Sequence, residues 1–222
     1  MTKNKVSELL PGPVFDCDDI IVAVRLETGE STMDIITIRD ASINDAKELL
    51  NIYDYYVRNT AITFEVATPS IDEFQARMKD VMQHYPYIVI ERDGRIEGYA
   101  YAHLFVGREA YAWSCETTIY IRPEVQKCGM GRMLYEALED RLKAMGIINL
   151  YACIADPEEE DEYLTSNSTD FHKHMGYKTV GVFKNCGRKF GRWYTMIWME
   201  KLIGVHVEKP NKIAWDFRTM NK

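Results

Sequence analysis

The residues best suited to chemistry cluster between Glu116 and Tyr135. There Ile119-Tyr-Ile121 leads through Gln126-Lys127-Cys128-Gly129-Met130-Gly131 into Arg132-Met-Leu-Tyr135. A strand-like run enters a loop with two glycines, and the loop opens directly into an amphipathic helix. Glycine lets the backbone approach a ligand closely, and the free amides and positive dipole end of a helix attract phosphate. The loop is therefore a candidate pyrophosphate cradle, although by spacing alone a turn followed by a helix start is the plainer reading. Two familiar phosphate motifs are excluded. There is no G-x-x-x-x-G-K-[ST], and the loop lacks the third glycine of the dinucleotide fingerprint.

The loop needs a strand before it and a helix after it, and the surrounding pattern supplies both. A short alternating strand, Ile36 to Arg39, is followed by a helix with apolar positions Ile43, Ala46, Leu50, Tyr53 and Val57, for which Ser42 is the N-cap. A second helix starts at Ser70-Ile-Asp-Glu73, a capping box, and carries Ile71, Phe74, Met78 and Val81 on one face. Strands then follow at Tyr87 to Glu91 and Arg95 to Val106, joined by Asp93-Gly94, a pair that tolerates the positive φ of a tight turn. A strand from Tyr111 to Ile121 reaches the loop. The helix from Gly129 to Met145 stops at Gly146, and Ile147 to Ile154 is the next strand. After an acidic connector come a short helix before Gly176 and two final strands, Tyr177 to Phe183 and Trp193 to Lys201. The predicted order is βααβββαβαββ.

Residues 1–33 read differently, with an acidic patch at Asp16 to Asp19 and one strand-like run, Ile20 to Val24; we take them as an N-terminal extension. Residues 34–202 form the regular unit, and 203–222 a polar C-terminal tail. Of the 222 residues, 46% are hydrophobic and 27% charged, the composition of a core-forming globular chain. Acidic side chains outnumber basic ones, 34 to 27, for a net charge of -7, which opposes non-specific attraction to nucleic acid or anionic lipid. No signal sequence and no apolar run of the ~20 residues that span a membrane are present. The five cysteines (17, 115, 128, 153, 186) are scattered, with no C-x-x-C pair, so neither a disulfide framework nor a zinc site is expected and a reducing cytoplasm is.

The element order, together with Gln126-x-x-Gly129-x-Gly131, resembles the GNAT superfamily of acetyl-CoA-dependent N-acetyltransferases. The similarity is greater to the phosphinothricin N-acetyltransferase-like branch. It is carried by Arg39-Asp-Ala-Ser42, Ile62-Thr-Phe64, His84-Tyr-Pro86, Gly98-Tyr-Ala-Tyr-Ala102, Arg108-Glu-Ala-Tyr-Ala-Trp113, Glu116-Thr-Thr-Ile-Tyr-Ile121 and Phe171-His-Lys-His-Met-Gly-Tyr177. It spans roughly residues 35–202 and leaves residues 1–33 without a counterpart. The resemblance implies an α/β GNAT fold, a mixed, mostly antiparallel twisted sheet of about seven strands flanked by four helices. It also implies acetyl-CoA as co-substrate, no metal, a small-molecule amine as partner and a homodimer.

Carried over residue by residue, the resemblance has the backbone of Ile119, Tyr120 and Ile121 pair with the pantetheine arm. Gln126, Lys127, Cys128, Gly129, Met130, Gly131 and Arg132 would cradle the pyrophosphate. Glu116 matches the branch's catalytic glutamate, and its apolar and aromatic neighbours suit a general base that must deprotonate an ammonium. His172 stands where many GNAT proteins carry a tyrosine that protonates the departing thiolate. His174 lies two residues on and faces elsewhere, which argues against a paired metal site. The asparagine that often contacts CoA falls at Thr165, with Asn167 as the nearby candidate. Phe64, Arg108 and Tyr111 are the expected substrate contacts; Val106 replaces a lysine of the branch, so a less acidic amine is expected than a dianionic one. Cys128 and Cys115 have no base assigned beside them and read as bystander thiols.

The function so implied is transfer of acetyl from acetyl-CoA to the primary amine of an amino acid or amino-acid analogue. Two other readings stay open: acetylation of a protein or peptide amine, and a non-catalytic acyl-CoA-binding sensor.

Overall fold

The computed structural model describes residues 20–24, 34–126 and 128–213. Its elements follow the order read from the sequence, preceded by one more strand. They are β1 (Ile20–Val24), β2 (Asp34–Asp40), α1 (Ala46–Asn59), α2 (Ile71–Met82), β3 (Tyr87–Arg92), β4 (Arg95–Leu104), β5 (Ser114–Ile121), α3 (Met130–Met145), β6 (Asn149–Asp156), α4 (Asn167–His174), β7 (Lys178–Lys189) and β8 (Arg192–Leu202). The strands form one sheet in the order β1-β2-β3-β4-β5-β6-β8-β7. The seven strands expected are joined at the edge by β1, drawn from the extension, which pairs antiparallel with β2 from Ile20↔Ile38 to Val24↔Asp34.

The sheet is covered on both faces, and the alternation of side chains along a strand divides the core in two. In β3, Ile88 and Ile90 join a cluster with Leu134, Leu138 and Leu142 of α3. Tyr87 and Val89, one residue out of phase, join Leu49, Ile52, Tyr53, Tyr56 and Val57 of α1 and Phe74 and Met78 of α2. Ser70 accepts from Glu73 N at the start of α2, but the Glu73 carboxylate pairs with Arg77 and the reciprocal box is instead at Ser42 and Asp45, where Ser42 caps the 3-10 turn Ile43–Asp45 ahead of α1. Gly146, at φ 92°, ends α3 in the left-handed region.

Three local features depart from the sequence reading. β4 stops at Leu104 and β5 begins at Ser114, because Tyr111 N donates to Arg108 O and Ala112 N to Glu109 O, closing a 3-10 turn where a strand was expected to begin. β7 runs on to Lys189, since Phe190 (φ 49°) and Gly191 (φ 77°) make a tight hairpin turn further along the chain. The stretch after Leu202 is packed: Ile203 N donates to Ile148 O at 2.9 Å, Trp113 Nε1 donates to Asn211 O at 2.9 Å, and Ile213 is buried in the α3-side core.

The site is positioned by β5 and β6, the parallel neighbours in the sheet. Their register holds for three pairs, Ser114↔Asn149, Cys115↔Leu150 and Glu116↔Tyr151. Beyond Glu116 they part. β5 continues with β4 as far as Ile121↔Gly98, while β6 continues with β8 as far as Asp156↔Thr195. Gly98 is required at this crossing: a Cβ there would stand 2.3 Å from Ile121 Cδ1 and 2.8 Å from the Tyr120 carbonyl oxygen.

Candidate active site

A cavity of about 300 Å³ occupies the fork between β5 and β6. Its walls are Glu116 to Tyr120 of β5, Ala152 to Ala155, Tyr101 and His103 of β4, Ile62 to Phe64 from the α1–α2 connector, Ser168 and His172 of α4, and Met196 of β8. The sites expected at Glu116, Ile119, Tyr120, His172 and Phe64 thus converge on one space.

Glu116 sits at the vertex, the last β5 residue paired with β6. Burial pushes its carboxyl above the ordinary carboxylate range, and the attraction of His103 partly offsets this. The His103 Nε2 is 3.7 Å from Glu116 Oε2, directly across the β4–β5 ladder. Tyr101 faces Thr118 in the same ladder.

His172 is buried and engaged at both nitrogens. Nδ1 lies 2.8 Å from the Ser168 carbonyl oxygen, which can only accept, so the proton is on Nδ1; Nε2 then accepts from the Tyr135 hydroxyl at 3.2 Å. Burial drives the imidazole down to about 4, so it is neutral at pH 7. The Tyr135 hydroxyl also lies 2.6 Å from Thr117 Oγ1, which is 3.1 Å from the Tyr151 carbonyl, so the two hydroxyl protons are shared among His172 Nε2, the Tyr135–Thr117 contact and that carbonyl. This chain of bonds ties α4 and α3 to both strands one residue past the vertex.

The remaining positions lie along the mouth or away from it. Gly129 is the N-cap of α3 at φ 87°, a conformation that favours glycine, and no side chain caps the helix. The first turn of α3 holds no acidic residue, so its free amides remain suited to an anion. Gly131 opens the same turn against Phe171 and Ile121. Met130 is buried, and Arg132 is exposed and paired with Glu136 at 2.7 Å. Gln126 Nε2 donates to the Tyr56 hydroxyl at 3.1 Å, and that hydroxyl donates to the Ile121 carbonyl, so Gln126 braces the end of β5. Lys127 lies outside the described residues. Asn167 is exposed at the start of α4 and does not line the cavity. Arg108 and Tyr111 sit on the 3-10 turn, exposed, and do not line it either.

Two thiols, Cys115 and Cys153, are held protonated at neutral pH. Burial pushes Cys115 up, and burial with the charge of Glu116 pushes Cys153, which lines the cavity, up to about 12. The Cys128 thiol donates to the Val125 carbonyl at 2.7 Å. Among the described residues no cluster of three or more His, Cys, Asp or Glu is arranged to hold a metal, and no helix is long and apolar enough to cross a membrane.

His103, Tyr101 and Thr118 were not singled out by sequence reasoning. Their place depends on the β4–β5 register, which a connection from Phe105 to Trp113 leaves undetermined until the 3-10 turn within it is known.

Strands that part at a half-buried carboxylate, beside a glycine loop that opens into an uncapped helix, define an acyl-CoA-dependent transferase layout. Residues 38–198 match the family model described as an acetyltransferase (GNAT) domain, and the chain belongs to that family. It is 32% identical over 170 residues to a phosphinothricin N-acetyltransferase of Streptomyces coelicolor, covering 75% of this chain and 95% of that one. It is 33% identical to a phosphinothricin N-acetyltransferase of Alcaligenes faecalis over 74% of this chain and 81% of that one. Among solved structures, a GNAT superfamily phosphinothricin acetyltransferase from Sinorhizobium meliloti in complex with acetyl-CoA superposes with a TM-score of 0.72 at 32% identity, covering 79% of this chain and 93% of that one.

Proposed function

We propose that this chain transfers acetyl from acetyl-CoA to the primary amine of a free amino acid or amino-acid analogue, with Glu116 as general base. The observation that carries the reading is the half-buried carboxylate of Glu116 at the vertex of a cavity of about 300 Å³, small-molecule in scale. The relatives named phosphinothricin N-acetyltransferases support the acceptor class.

Acetyl-CoA supplies an acetyl thioester whose carbonyl an unprotonated amine attacks. The chain's part is to hold the pantetheine and phosphates, to take the ammonium proton and to exclude bulk water. The backbone of β5 beyond Glu116, free of β6, suits the pantetheine arm, and the uncapped first turn of α3 suits the pyrophosphate. A carboxylate raised by burial has a proton affinity closer to that of the amine than an exposed one, which favours proton acceptance near neutral pH. The two engaged nitrogens of His172 support a bracing role, in which α4 holds Thr117 and the fork in place through Tyr135.

The cavity offers an amino-acid carboxylate few cations: among its described lining residues His103 is the only basic group beside His172. That supports an acceptor less acidic than a dianion. The homodimer fits the exposed apolar side chains of Val182, Phe183 and Trp193 on the β7–β8 hairpin, and the exposed free Cys186 fits the cytoplasm.

The test is CoA release with phosphinothricin, free amino acids, polyamines and intact peptides as acceptors. Small amino-acid acceptors should be preferred, and Glu116→Gln should lower kcat by roughly 10²–10⁴-fold while the protein stays folded. Undiminished turnover in Glu116→Gln would remove Glu116 from the reaction, and preference for intact peptides would reassign the acceptor.

A further inference from the structure

We propose that His103 is a positioning and relay residue for Glu116, receiving the proton that Glu116 takes from the substrate and passing it to solvent. The proposal rests on the reading of Glu116 as base.

Its geometry fixes which nitrogen does the work. His103 Nδ1 lies 3.1 Å from the Leu104 carbonyl oxygen, an acceptor only, so Nδ1 carries the proton of the neutral ring. The lone pair of Nε2 is then the one that faces Glu116 Oε2, 3.7 Å away. That separation is longer than a hydrogen bond, and catalytic contacts commonly tighten once substrate is bound.

Burial differs along the pair in the direction a relay needs. The Glu116 side chain is 20% exposed and that of His103 is 35% exposed, so the ring reaches from the vertex toward water. The groups facing the pair are few. Tyr101 lies on the same strand with its ring 5.9 Å from that of His103, and Cys153 faces Glu116 from β6 as a protonated thiol. Neutral His172 lines the cavity from α4; Glu65, on the α1–α2 connector, and Arg77 of α2 act on Tyr101. Among the described lining residues only His103 and His172 are basic, and both nitrogens of His172 are engaged.

The step balances simply. Glu116 accepts the ammonium proton and becomes a carboxylic acid. Its O–H bond then breaks as an N–H bond forms at His103 Nε2, which regenerates the carboxylate and makes an imidazolium. The imidazolium loses that proton to solvent, and Nδ1 keeps its own on Leu104 throughout. Charged His103 also attracts Glu116 electrostatically and holds its carboxyl lower than burial alone would.

The experiment compares wild type, His103→Gln, His103→Asn and Glu116→Gln by CoA release from acetyl-CoA, using the best acceptor of the amino-acid panel, from pH 5.5 to 9.5. Thermal melts and acetyl-CoA affinity serve as checks of folding. The His103 variants should lose on the order of 10-fold in kcat with little change in KM, less than loss of the base itself. Their acidic limb should change shape, because in wild type it reports His103 and Glu116 together and in the variants Glu116 alone, and added imidazole should restore part of the rate. Folded His103 variants with the wild-type pH profile and no response to imidazole, alongside an inactive Glu116→Gln, would overturn the relay and leave the base in place. Full turnover in Glu116→Gln would overturn both.

Discussion

Gly187 of β7 carries no side chain where the ring of Phe64 lies: a Cβ at that position would stand 2.3 Å from Phe64 Cε2 and 2.5 Å from Cδ2. The wall that Phe64 gives the cavity therefore depends on a glycine more than a hundred residues away, on the last hairpin. Gly187→Ala must move the ring, because the backbone of β7 is held by its pairing to β8 at Gly187↔Tyr194. The ring turns into the cavity or out of it. KM for the amine should rise severalfold while affinity for acetyl-CoA stays near wild type, with a stability cost of about 1–3 kcal/mol for overpacking. Steady-state kinetics with each substrate varied in turn check this, and an unchanged amine KM would show that Phe64 does not bound the acceptor site.

The packed tail makes a second prediction. Ile213 is 8% exposed and lies against Gly146 at the end of α3, while Trp113, at the entrance to β5, holds Asn211. Truncating a buried isoleucine to alanine costs 2–5 kcal/mol, and a site at the core's margin collapses more readily, so Ile213→Ala should cost about 2 kcal/mol. Urea unfolding reads this as a lower midpoint at constant slope. A change within about 0.5 kcal/mol, the range of surface substitutions, would show that the tail is only draped on the domain.

That tail also marks where the sequence stops being legible. The regular elements were readable because each has its own local cause: apolar spacing of three and four in α1, Ser70 ahead of α2, Asp93-Gly94 between β3 and β4, Gly146 after α3. Residues 203–213 carry no such local signal. Their order comes from Ile148, Trp113 and the α3 core, contacts made across the fold. The same contrast holds in the site. Glu116, Ile119, Tyr120 and His172 were legible through motifs of consecutive residues, and Phe64 through its short run. His103 and Tyr101 were not, because a cross-strand neighbour is fixed by register, and register here depends on the 3-10 turn at Glu109–Tyr111. That turn is also why Arg108 and Tyr111, plausible by position in the chain, do not reach the cavity wall.

His172 gives a prediction whose sign follows from its protonation. The buried ring is driven from 6.5 down to about 4, mainly by desolvation, while the Ser168 carbonyl acts weakly in the other direction. Between those values the unfolded chain binds a proton that the native ring refuses. The contribution of His172 to stability is thus intact above pH 6.5 and falls away as pH drops toward 4, by up to about 3 kcal/mol. His172→Gln breaks the Tyr135 bond and should be the less stable protein at pH 7. It lacks the titrating ring, so it should lose less stability than wild type between pH 7 and pH 4.5. Carboxylates such as Asp45, held low by Arg39, weaken both proteins alike as they protonate and cancel in the comparison. Urea melts of the pair across this range should therefore converge as the pH falls. Parallel curves would mean that the native imidazole takes up its proton as readily as the unfolded one, and its Nε2 would then donate to Tyr135 once protonated.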